Sequence, residues 1–239
     1  GLRLEAGTET LSGASTYTGS TTIAGGTLRA GAANTFSPDS AVTVADNGAL
    51  NLNGFSQAIA GLNNSGLVNM GTGTAPGTVL TVNGNYVGNG GILAINTALG
   101  ADNSPTDKLV VTGSTSGRTN LVVTDSGGLG AQTTGSGIEV VRIGGSSDGQ
   151  FKLANYVAAG AFQYNLFQGG AGAAAEDGNW YLRSTGYRAE TPVDAAIGAL
   201  ASRLGRGLLG TALERGGLDR RCLVKPDSSL TGEALTARC

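Results

Sequence analysis

The stretch Thr21-Thr22-Ile23-Ala24-Gly25-Gly26-Thr27-Leu28-Arg29-Ala30 carries the pattern that decides the fold. A glycine opens a short alternating run in which Leu28 and Ala30 fall on one face and Thr27 and Arg29 on the other. The unit returns as Gly48-Ala49-Leu50-Asn51-Leu52, Gly66-Leu67-Val68-Asn69-Met70 and Gly91-Ile92-Leu93-Ala94-Ile95, at intervals of 22, 18 and 25 residues. A second set of strands lies between these units: Thr21-Thr22-Ile23, Ala41-Val42-Thr43-Val44, Thr78-Val79-Leu80-Thr81-Val82 and Lys108-Leu109-Val110-Val111. Period-two alternation sends aliphatic side chains inward and Thr, Asn and Ser outward, and Gly, Asn, Asp or Ser bounds each run. A coil of about twenty residues cannot bury its own apolar face, but stacked coils can. The pattern therefore predicts an all-β chain built as a right-handed parallel β-helix. A β-sandwich also spaces short strands in this way. The irregular Gly-rich corners and the scarcity of aromatics before residue 150 favour a narrow aliphatic solenoid.

Composition narrows the chemistry. Glycine accounts for 42 of 239 residues, against an average near 7%. Histidine is absent, which excludes a Ser-His-Asp triad, a Cys-His dyad, a His-ligated zinc and an imidazole base. The net charge of −2 does not provide the basic surface that nucleic-acid binding needs. Charge is unevenly spread: residues 1–182 carry 6 basic and 11 acidic side chains, residues 183–239 carry 9 and 6. Both cysteines, Cys222 and Cys239, lie in the last 18 residues, so the long thiol-free portion suits a chain that crosses a membrane unfolded. The start lacks an apolar signal region, and no uncharged apolar run of 18 residues occurs, so the chain is expected to be an internal piece of a longer protein.

The texture changes near residue 138. Of 12 aromatic residues, 8 lie between Phe151 and Tyr187. Ile138–Ile143, Phe151–Leu153, Phe162–Phe167 and Asn179–Arg183 read as hairpin strands joined by turns such as Ser147-Asp148-Gly149 and Glu176-Asp177-Gly178-Asn179. A solenoid leaves an open edge at its last coil, and an aromatic-rich antiparallel cap would close it. Beyond Pro192, Val193, Ile197, Leu200, Leu204, Leu208 and Leu209 recur at helical spacing, which predicts a short α-helix over 191–216 weakened by Gly198, Gly205, Gly207 and Gly210. The tail 217–239 shows no period.

Leu11-Ser12-Gly13-Ala14-Ser15-Thr16-Tyr17-Thr18-Gly19, followed by Thr22 to Leu28, resembles the passenger-associated repeat of bacterial autotransporters. Gly84-Asn85-Tyr86-Val87, Gly90 to Thr97, Asp102 to Val111, Gly137 to Val141 and Asp177 to Leu182 together resemble the pertactin-like autochaperone region at the C-terminal end of such passengers. Tyr187 to Pro192 and the weak helix after it are similar to the linker that threads a translocator barrel. The resemblance implies a single-chain, type V secretion pathway, with export through the periplasm to the cell surface or outer membrane, or release outside the cell. It divides the chain into coils (1–85), an autochaperone and cap region (86–190), a linker helix (191–216) and a tail (217–239). It implies two partners, a C-terminal translocator β-barrel of the same protein and upstream passenger coils, with a host surface or self-association as a further contact. The Cys-bearing tail resembles no barrel strand.

On this reading Val140, Phe162, Tyr164, Phe167, Trp180, Tyr181 and Leu182 form the cap and folding nucleus. Gly84, Gly90 and Gly91 set corners, and Ile197, Leu200, Leu204 and Leu208 line the linker helix. No enzyme activity, metal or small-molecule cofactor is expected. Gly145-Ser146-Ser147-Asp148-Gly149 has the spacing of a nucleophile elbow but lies in a turn and has no histidine to serve it. Gly205 to Gly210 matches a dinucleotide fingerprint without the preceding strand. Gly169-Gly170-Ala171-Gly172-Ala173 lacks the Asp of a calcium-binding repeat. Asp102, Asp107 and Asp125 are the nearest candidates for a polysaccharide-cleaving carboxylate cluster, and their turn-rich surroundings favour solvated turn residues. An adhesive or self-associating β-helix remains the alternative function.

Overall fold

The structure, a computed structural model, describes residues 1–71 and 73–188, together with Ala201, Ser202 and Leu204. Residues 1–188 form one compact unit. The helix expected over 191–216, with Ile197, Leu200 and Leu208, and the tail lie outside the described residues; Ala201, Ser202 and Leu204 have helical backbone.

In chain order the strands are β1 (Leu2–Leu4), β2 (Thr8–Leu11), β3 (Thr21–Ala30), β4 (Ala41–Asn51), β5 (Gln57–Ile59), β6 (Gly61–Asn64), β7 (Leu67–Asn69) and β8 (Val79–Val82). There follow β9 (Tyr86–Thr97), β10 (Lys108–Val111), β11 (Thr115–Asp125), β12 (Ile138–Ile143) and β13 (Gln150–Leu153). The last three are β14 (Ala158–Ala159), β15 (Phe162–Gln168) and β16 (Trp180–Tyr187). One sheet runs β1-β3-β4-β6-β9-β11-β13, with β2 and β7 alongside, and every pairing in it is parallel. The other runs β5-β8-β10-β12 in parallel and then turns antiparallel through β16, β15 and β14. This is the predicted parallel β-helix with an antiparallel cap.

Register explains the repeated sequence unit. Leu28, Leu50, Val68, Leu93, Leu121 and Leu153 are successive partners across the first sheet, one above another. Opposite them, Ile59, Val82, Val111 and Ile143 form a matching column. All but Leu153 are buried. The unit glycines stack too: Gly26 pairs with Gly48, and Gly66 and Gly91 precede the next paired residues, Leu67 and Ile92. At Gly66 a Cβ would overlap the carbonyl oxygens of Ala45 and Gly48, so only glycine lets adjacent corners approach this closely.

These glycines also correct one expectation. The segments Thr21–Ile23 and Ala41–Val44 are not separate strands; they are the first halves of β3 and β4, whose second halves are the Gly-x-Leu units. A register shift between Ile23 and Gly25 bends β3 without ending it. Thr78–Val82 and Lys108–Val111 do lie in the second sheet. The hairpin reading of Ile138–Ile143 and Phe151–Leu153 also fails, because β12 and β13 continue the parallel stacking on β10 and β11. The turn after β12 is therefore another solenoid corner, and only β14, β15 and β16 form hairpins.

Leu93 and Ile92 are adjacent but face opposite sides, buried and exposed. Leu93→Ala should cost about 2–5 kcal/mol of unfolding free energy, and Ile92→Ala under about 1 kcal/mol, in guanidinium titrations.

Candidate functional site

The cap begins where β16 pairs antiparallel with β12, placing Ile138 opposite Leu182, Glu139 opposite Tyr181 and Val141 opposite Trp180. Alternation along β16 sends Trp180 and Leu182 into the interior and Tyr181 to the outer face. Trp180 thus extends the column Leu80, Leu109, Val141, and its indole meets Phe151 edge-on, with centroids 5.5 Å apart. Phe151 stacks in turn on Tyr86 at 5.8 Å. Three rings from β9, β13 and β16 thereby bridge the two sheets, a geometry favourable beyond simple burial.

Val140, Leu182, Tyr164, Trp180 and Tyr181 are buried, and Phe162 is partly buried. Phe167 differs: it is 38% exposed, on the outer face, with the Arg183 guanidinium 5.3 Å from its ring centre. It follows the phase of Tyr181, its partner across the hairpin, and not that of Trp180. The Tyr164 hydroxyl accepts from the Ala131 amide and lies 2.8 Å from the Ala131 carbonyl and 3.0 Å from that of Gly100, tying the cap to two earlier loops. Phe151, which joins the cap to the coils, went unnoticed in the sequence because Phe151-Lys152-Leu153 read as a hairpin strand.

Of the corner glycines, Gly90 has φ +85° at the bend in β9, while Gly91 leaves room for Asn64, whose side chain a Cβ there would approach to 2.7 Å. A Cβ at Gly84 would lie 2.5 Å from the Ala60 carbonyl oxygen. Asn64 is fully buried: its amide donates to the Ile92 carbonyl at 3.2 Å and to the Tyr86 hydroxyl at 3.4 Å, while its Oδ1 has no partner among the described residues. Tyr86 pairs with Thr119 Oγ1 at 2.8 Å, and burial raises its pKa despite these bonds.

On the outer face, Glu139 joins three strands. It accepts from Lys108 on β10 at 2.8 Å and from Arg142 on β12 at 2.9 Å, and the Tyr181 hydroxyl on β16 lies 3.5 Å away. Tyr181 donates its proton to Asp177 at 2.5 Å; burial, with that carboxylate beside it, pushes its pKa up to about 12. These groups border an open polar groove of about 490 Å³.

The three candidate carboxylates do not form a catalytic set. Asp107 is fully buried, contrary to its reading as a solvated turn residue. Its Oδ1 accepts the Gly77 and Thr78 amides, both at 2.9 Å, and its Oδ2 accepts the Asn96 amide and side chain at 2.8 and 2.9 Å. Four donors saturate it as a clasp between neighbouring coils. Asp125 accepts from Leu99 and Gly128. Asp102 accepts from the amides of Thr134, Gly135 and Gly137. Ser147, at the centre of the elbow-like motif, donates to the Gly178 carbonyl at 2.7 Å in a turn. Among the described residues no three His, Cys, Asp or Glu side chains are grouped to hold a metal ion.

Asp107→Ala should cost at least about 3 kcal/mol, because four buried donors lose their acceptor. Asp102 should show a pH dependence: desolvation is the largest single influence and raises its pKa, but the three amides and the Thr134 hydroxyl together outweigh it and hold it below 3.8. A depressed carboxylate contributes above its unfolded value and loses that contribution as pH falls through the folded one. The stability advantage over Asp102→Asn, measured by denaturant titration, should therefore be full at neutral pH and close as pH falls below 3.8.

Comparison with known families agrees with this geometry. Residues 56–166 match the Autochaperone Domain Type 1, and residues 5–30 the Passenger-associated-transport-repeat. The chain is 44% identical over 147 residues, 61% of its length, to the uncharacterized protein YuaQ of Escherichia coli K12. It is 49% identical over 123 residues to the adhesin BmaC autotransporter of Brucella suis biovar 1, and 41% over 114 residues to the autotransporter adhesin AIDA-I of Escherichia coli. The last two alignments cover 48% and 47% of this chain. The chain spans 10%, 4% and 9% of the lengths of these three relatives. An autochaperone match that takes in the later coils and much of the cap, behind a transport repeat in the same solenoid, makes this chain a passenger region of a type V autotransporter, a class exported to the bacterial cell surface or outer membrane.

Proposed function

We propose that the capped end of this solenoid is an intramolecular folding template, non-enzymatic, that promotes folding and outer-membrane translocation of the passenger. The observation that carries this reading is the asymmetry of the two ends. At one end β16 reverses direction on β12, and Trp180, Phe151 and Tyr86 fill the interior between the sheets. There Trp180 and Leu182 are buried, while Leu153, Phe162 and Leu166 stay partly covered. At the other end β1 and β2 border the first sheet, with Leu2, Leu4 and Leu11 only partly covered. A coil added there would bury them and continue the stack. Upstream coils are then the partner of the β1–β2 edge, and a translocator barrel of the same protein the partner on the C-terminal side.

The adhesin names of BmaC and AIDA-I support a second reading, a surface that binds a host or a second cell. The outward ladder Thr22, Thr43, Asn63 would serve it. Cells displaying this chain would then clump, and removing residues 1–85 would stop them.

Refolding kinetics test the template. Leu182→Ala in the cap should slow refolding from guanidinium roughly tenfold, whereas Leu28→Ala in an early coil should mainly speed unfolding. Equal slowing by both would remove the cap's special role. Trp180 fluorescence, from the sole tryptophan, reports the cap while far-ultraviolet dichroism reports the sheets.

A further inference from the structure

Six large apolar side chains in residues 1–188 are at least one-third exposed, and they fall into two groups. Phe55, Ile92 and Phe167 are 36–39% exposed, as single surface residues often are. Leu129, Tyr156 and Tyr187 are 91%, 57% and 67% exposed. These three gather around β14, the terminal strand of the second sheet. The Leu129 carbonyl lies against Gly160, just past β14; Tyr156 is two residues before it; and Tyr187 packs on Phe162, the partner of Ala159 in β14, at 5.4 Å. A cleft of about 220 Å³, lined by Phe162, Tyr187, Gln132 and Ser184, opens beside them.

The chemistry of this end is one-sided. Segments 126–137, 150–168 and 184–188 contain no Asp or Glu but include Lys152 and Arg188, in a chain whose net charge is −2. Asp125, just before the first of these segments, accepts from the amides of Leu99 and Gly128. β14 has only two residues, which leaves little backbone edge for a second copy to extend as a sheet. Tyrosines with apolar rings and polar tips, beside a bare leucine and cations, match a bilayer interface, where rings sit at headgroup level and cations meet phosphate. Arg188, where the chain leaves this unit, bonds to the Ala161 and Gly160 carbonyls just past β14. On the proposed reading the chain continues from that point toward a membrane barrel.

We infer that the β14 end of the solenoid, through Leu129, Tyr156 and Tyr187, docks on an anionic lipid surface. The inference uses the translocator part of the proposed reading and is independent of templating. The test is co-sedimentation of the full chain with phosphatidylethanolamine–phosphatidylglycerol vesicles, with phosphatidylcholine vesicles as the uncharged comparison. The wild type should bind the first more tightly. Combined Leu129→Ser, Tyr156→Ser and Tyr187→Ser should lower binding by at least about tenfold. Leu129→Ser alone, at a side chain with almost no packing to lose, should lower it about threefold and leave the refolding rate unchanged. Undiminished binding by either variant, or no binding by the wild type, overturns the inference. So does a wild-type dimer in light scattering that the triple variant dissociates, because the patch would then cover a second copy. A refolding defect in Leu182→Ala bears on templating alone, so the two readings fail separately.

Discussion

Every coil of this protein depends on a neighbour to bury its aliphatic side chains. Leu50 is covered by Leu28 on one side and Val68 on the other, and the same holds along the column to Leu121. Backbones about 4.8 Å apart make that contact continuous but give no coil a core of its own. Stability therefore accumulates by neighbour contact, and the two ends decide whether the stack is closed. The reversal at β16 ends the parallel stacking of the second sheet, and the first sheet ends at β13. The ring series Trp180, Phe151, Tyr86 then occupies the space that one more aliphatic layer would have filled.

Where strands are missing, buried polar side chains replace them. Gln57 Oε1 accepts the amides of Thr35 and Phe36, and its Nε2 donates to the Ala32 carbonyl, so one side chain supplies the pairing that a strand would have given this coil. Asp107 plays the same part for Gly77 and Thr78. Each such group is costly unless fully bonded, so it tolerates one register and penalises slippage. Asn64, with Oδ1 unpartnered among the described residues, is the exception. Its side chain occupies the space left by Gly91 and holds Tyr86 toward Thr119.

The sequence made the stacked columns legible because alternation and corner glycines are local signals. It could not reveal which runs share a strand: β3 and β4 bend at their glycines, so one strand looked like two. Nor could it distinguish a corner from a hairpin turn after Ile143, since Gly and Ser suit both. Asp107 was misread for a related reason. A carboxylate among Asn, Ser, Pro and Thr looks solvated until the donors gathered from Gly77, Thr78 and Asn96 are seen, and those lie 30, 29 and 11 residues away in the chain. The inward placement of Trp180 and Leu182 follows from alternation, but the phase of Phe167 depends on the register of β15 against β16, which only the paired strands supply.

The glycine ladder bears on how such chains lengthen. Gly26, Gly48, Gly66 and Gly91 give each corner an interchangeable neighbour, but the next position, preceding Asn120, is Thr119, whose hydroxyl is held by Tyr86. A duplicated segment spliced in before Gly66 would meet glycine above and below and could be retained without other change. The same segment inserted after Gly91 would separate Tyr86 from Thr119 and meet a side chain where the ladder needs none. An added coil is thus accommodated with fewer clashes between Gly26 and Gly66 than between Gly91 and the cap.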